Sequence, residues 1–72
     1  MEQQAITYEV AVYNKAVRDA MKEGERHPFL SDDWVNIHWI KVRAYTPAAA
    51  CQKVDVRFPS ARGYVITDIQ ET

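Results

Sequence analysis

Cysteine is almost missing from this chain: Cys51 is the only one in 72 residues. An internal disulfide is therefore excluded, and so is a CxxC-type metal site. A lone thiol suits a reducing compartment. Glycine and proline are scarce too, at two and three residues, which leaves little room for disorder. Neither sign of charge is in excess. Nine Lys plus Arg face ten Asp plus Glu for a net −1, which argues against a general nucleic-acid or membrane-surface binder. Long apolar runs are absent, so nothing in the sequence spans a bilayer. The start, Met1-Glu2-Gln3-Gln4, lacks the basic and apolar regions of a secretory signal, and the cytoplasm is the expected location. Residues 1–72 read as one small domain. Such a chain buries only about 60% of its unfolded surface. With no disulfide or metal staple, it must rely on an efficient core or on a second copy of itself.

What is present is a clear alternation of element signals. Ile6, Tyr8, Val10 and Val12 alternate with Thr7, Glu9, Ala11 and Tyr13, the period of two that marks a strand from Ala5 to Tyr13. Asn14 is placed to cap a helix over Lys15 to Glu23, with Ala16, Val17, Ala20 and Met21 as its apolar side and Gly24 as its stop. Glu25 to Asp33 is irregular, and Ser31 before Asp32, Asp33 and Trp34 predicts a capped single turn. Val35 to Tyr45 is the longest strand signal. Thr46-Pro47 opens a second helix with a hydroxyl cap and a proline whose missing amide is harmless there. Ala50, Cys51, Val54 and Phe58 form its buried stripe, and Pro59 ends it. Tyr64 to Gln70 is a final strand after the turn Ser60-Ala61-Arg62-Gly63.

The order β-α-β-α-β defines an α+β fold. The short connections of the second β-α-β unit predict parallel strands joined by a right-handed crossover. An all-parallel sheet with a bare face is unusual. The expected architecture is therefore a three-stranded mixed sheet with both helices packed on one face.

That architecture leaves the opposite sheet face open, and a functional surface is sought there. Strand alternation assigns it Thr7, Glu9, Ala11 and Tyr13, then Trp39, Lys41, Arg43 and Tyr45, then Tyr64, Ile66 and Asp68. The candidate interaction surface is Tyr13, Trp39, Lys41, Arg43, Tyr45, Tyr64 and Ile66. Ordinary cross-strand pairing of Glu9 and Asp68 with Lys41 and Arg43 accounts for much of this composition. Aromatics ringed by charge also suit a protein interface, with another protein or a second copy as a homodimer. The same aromatics beside Lys and Arg would serve a single-stranded nucleic-acid platform, although Glu9 and Asp68 oppose it and no RNP signature occurs.

Other candidates are weaker. Lys15, Arg18, Lys22 and Arg26 form a basic ridge at helical spacing, interleaved with Asp19 and Glu23. His27, Asp32, Asp33 and His38 are metal-ligand residue types without a metal-binding pattern. Cys51 falls on a buried stripe, where a thiol behaves as a small hydrophobe. The turn at Ser60 to Gly63 lacks the further glycine and lysine of a phosphate loop. The reading is thus of a non-enzymatic interaction or oligomerisation domain, with no catalytic or metal residue, no cofactor and no membrane partner.

Overall fold

The computed structural model of the chain describes residues 4–72. Three strands are present: β1 (Ile6–Asn14), β2 (His38–Ala44) and β3 (Tyr64–Glu71). Two α-helices, α1 (Lys15–Lys22) and α2 (Pro47–Arg57), lie between them, with single 3-10 turns at Asp32–Val35 and Ser60–Arg62. The α+β class and the β-α-β-α-β order follow the sequence pattern closely.

Pairing direction does not. The strand order is β2-β1-β3, and both pairings are antiparallel, so the sheet is antiparallel rather than mixed. β2 and β3 still run the same way, but β1 lies between them. The reason is burial. Tyr8, Val10, Ala11 and Val12 are all buried, on both faces of β1, whereas β2 and β3 carry their charges on exposed positions. The strand with the most buried residues belongs in the middle.

One face of the sheet holds the core. Val10 and Val12 meet Ile40 and His38 of β2 and Ile69 and Ile66 of β3 in register. α2 lies over β2 and β1 and inserts Ala50 and Val54, one turn apart, into the cluster of Tyr8, Val10, Val12 and Ala44. Its start is fixed by Thr46, whose side-chain oxygen accepts from the Ala49 amide at 3.1 Å, and by Pro47 at the first helical position. Trp34, Phe58 and Tyr64 close one end of this layer with centroids 5.0–5.3 Å apart.

α1 follows β1 without a loop and packs on the Asp32–Val35 turn and on β3. Its junction is a small interlock. Buried Asn14 accepts from the Val17 amide and donates to the Arg62 carbonyl, each at 3.1 Å. The Lys15 amide donates to the Gly63 carbonyl at 2.7 Å. Gly63 has φ +96°, and a Cβ there would lie 2.7 Å from Asn14 Oδ1 and 2.9 Å from Ala16 Cβ. Only glycine fits.

The phase of β3 is reset midway. Ala11 faces Asp68, yet Val12 faces Ile66, so Thr67 is an extra residue, a β-bulge. Its hydroxyl donates to the Ala11 carbonyl at 3.4 Å. Simple alternation puts Tyr64 and Ile66 on the open face; the bulge instead lets Tyr64, Ile66 and Ile69 all face the core.

Candidate functional site

The open face is built from the odd-numbered residues of β1 and β2. Thr7, Glu9 and Ala11 pair with Arg43, Lys41 and Trp39, and Ala11 lies between Trp39 and Asp68. Ala11 is 1% exposed. The longer side chains beside it close over a methyl group, which is how an uncovered sheet face limits its own wetting. Trp39 is 45% exposed, Tyr45 just beyond β2 is 58% exposed, and Ile37 just before it is exposed as well. An apolar row therefore runs along β2, broken by Lys41 and Arg43. Signs are segregated across this face. Its cations are on β2 at one edge, while Asp68 is on β3 at the other, with Glu9 between.

Of the residues expected on this surface, Trp39, Lys41, Arg43 and Tyr45 share the β2 row. Tyr13 is on the same face but is half-buried, with the Arg18 guanidinium 3.6 Å above its ring. That contact is a favourable cation–π geometry. Tyr64 and Ile66 are not part of the face. They pack into the core side, Tyr64 against Trp34 and Phe58, because Thr67 shifts the alternation.

The basic ridge of α1 is also divided. Arg18 is held at both ends of its contact set, its Nε donating to the Val35 carbonyl at 2.7 Å while the guanidinium covers Tyr13. Arg26 lies 3.7 Å from Asp32 in an exposed ion pair, which contributes little. The histidines serve local structure. His27 Nδ1 accepts from the Phe29 and Leu30 amides at 3.1 Å. His38 stacks on Trp34 at 4.3 Å, with Nε2 2.9 Å from the Asp33 carbonyl. Among the described residues no group of three or more His, Cys, Asp or Glu is arranged to hold a metal ion. Cys51 is half-buried. No described helix is long and apolar enough to cross a membrane.

Sequence reasoning missed the outer side of α2. Lys53 and Arg57, one turn apart, stand beside Lys41 and Arg43 of β2 and line a groove of about 500 Å³ with Val42 and Val56 between them. Val56 is 83% exposed. The signal was available: cations spaced i,i+4 on α2 and i,i+2 on β2 must meet once α2 lies on β2. A second groove of about 710 Å³ lies at the other end, where Phe29 and Leu30 face Arg62 and Gly63. Comparison with protein-family models, with curated proteins and with solved structures finds no match.

Proposed function

We propose that this chain is a non-enzymatic interaction domain that pairs with a second copy of itself through the open sheet face. The observation that carries the reading is the β2 row, in which Trp39 and Tyr45 remain about half exposed beside cations whose complement lies on the same face. A two-fold axis along the strands would set the β2 strand of one copy over the β3 strand of the other. Trp39 and Asp68 share a level through Ala11, so the tryptophan is covered by the partner's β3 with Lys41, two residues along, in reach of the partner's carboxylate, the isologous arrangement that a self-complementary patch favours. The monomer also exposes 5280 Å², against about 4,600 Å² for a typical folded chain of this mass. Surface is left over for a partner.

Three strands about 4.8 Å apart offer only a few hundred Å² per copy, below the roughly 800 Å² of a stable interface. Association should therefore be weak, in the micromolar range or above. Light scattering over a concentration series tests it. The mass should rise toward that of a dimer, Trp39→Ala should remain monomeric, and Lys41→Asp should weaken pairing and recover when combined with Asp68→Lys. A strict monomer at every concentration, or an unchanged Trp39→Ala, defeats the reading.

Trp39 beside Lys41 and Arg43 also favours a second reading, stacking of single-stranded nucleic acid. Glu9 and Asp68 on the same face oppose it, and the face lacks the Tyr64 and Ile66 that a wider platform would use. Unchanged tryptophan fluorescence on adding an oligonucleotide would remove it.

A further inference from the structure

The second surface is the outer edge of β2 with the groove beside it. The Thr72 amide donates to the Thr7 carbonyl at 2.9 Å, so the backbone of Thr7 is turned toward β3. In an antiparallel ladder this sense alternates along the strand, and a residue turned away from its neighbouring strand stands opposite one that is turned away as well. Thr7, Glu9 and Ala11 thus bond toward β3, and their β2 partners Arg43, Lys41 and Trp39 aim their own amides and carbonyls out of the sheet. The Arg43 carbonyl confirms the sense, since it accepts from Lys53 Nζ of α2, a bond that an added strand would replace with one of its own amides, releasing Lys53 for a carboxylate.

Cations flank this edge on both sides. Lys41 and Arg43 project on the open face, and Lys53 and Arg57 line the groove under α2, with no acidic residue in its lining. Lysines at a sheet edge normally discourage pairing with other strands. They do so by desolvation and repulsion; a strand that brings carboxylates turns the repulsion into attraction and offsets the desolvation with ion pairs. The two-residue spacing of Lys41 and Arg43 equals the spacing of same-face side chains on an added strand. The groove lining contains no aromatic ring, so it offers no base-stacking surface.

We propose that the β2 edge and the α2 groove capture an extended acidic segment of a partner protein, which adds to the sheet as a fourth strand. The main-chain ladder would supply affinity, and the four cations would select carboxylate-bearing positions on both sides of it. Val56 gives the groove an apolar floor for a side chain of the captured strand. This surface shares Lys41 and Arg43 with the self-pairing face, whereas Lys53 and Arg57 belong to it alone.

The probe is a fluorescein-labelled peptide of alternating glutamate and threonine, followed by anisotropy with the intact chain. It should bind, while a lysine–threonine peptide should not. Methylating alternate backbone nitrogens of the probe should weaken binding roughly tenfold or more, because the ladder is then blocked. Lys53→Glu with Arg57→Glu should also weaken it by roughly tenfold or more, whereas Lys53→Arg should retain it. Self-association by light scattering should be unaltered in these variants, so failure here is separable from failure of the face. The proposal is overturned if the acidic peptide does not bind or if the methylated peptide binds equally well. Displacement of the probe by oligothymidylate of equal charge would also overturn it, as the site would then be a general anion surface.

Discussion

β1 buries residues on both of its sides, yet by different means. On one side Val10 and Val12 are covered by α2 and by the residues of β2 and β3 that face it. On the other, Ala11 is shielded by side chains of its own sheet, Trp39 and Asp68 among its neighbours. The first side is closed by a second layer and carries the fold. The second is closed one residue deep, and the groups that close it remain half in water. A sheet needs only one packed face to be stable; the other is free to carry a different task.

The largest effects should come from the packed face. Val10→Ala and Val54→Ala should each cost about 2–3 kcal/mol in urea unfolding, a large share of a small domain's stability, while Trp39→Ala should cost under about 1 kcal/mol. Equal losses would erase the distinction between the faces. Next comes the junction of β1 with α1. Gly63→Ala should cost about 1–3 kcal/mol through its positive φ and its contact with Asn14. Asn14→Ala should fall in a similar range, about 1–3 kcal/mol, by removing a cap and orphaning the Arg62 carbonyl. The double variant should lose less than the sum, since both act on one interlock. Thr46→Ala should cost about 1 kcal/mol in thermal unfolding by uncapping α2.

The smallest effect is the most informative about the faces. Deleting Thr67 should change stability by less than about 1 kcal/mol. It removes the extra residue and leaves Tyr64, Ile66 and Ile69 in regular alternation toward the core. A collapse of stability would mean that the bulge is needed for more than phase.

The elements themselves were legible because their signals are local. Asn14, Ser31, Thr46 and Pro47 each mark the start that they mark in the structure, and the alternation of β1 and β2 identifies the faces of both. Two features were not legible, for related reasons. Connection length predicts that β2 and β3 are neighbours, but tertiary burial of β1 outweighs it and separates them. A bulge has no composition of its own: Thr67 is an ordinary strand residue, and only the need to bury both Ile66 and Ile69 reveals the phase shift. As a result Trp39, Lys41, Arg43 and Tyr45 could be read as one row, whereas Tyr64 and Ile66 were assigned to the wrong side. The basic groove lay in view as two separate charge spacings and became a site only when α2 was set on β2.

The two tryptophans report on the two faces, Trp34 from the aromatic cluster of the core side and Trp39 from the open side. Acrylamide quenching of the single-tryptophan chains Trp34→Phe and Trp39→Phe, followed as concentration rises, tests the central claim directly. Quenching of Trp39 should fall with rising concentration as a second copy covers it, while quenching of Trp34 stays low and constant. If Trp39 is quenched equally at every concentration, or if Trp34 is the residue that becomes protected, the open face is not where this chain meets its copy.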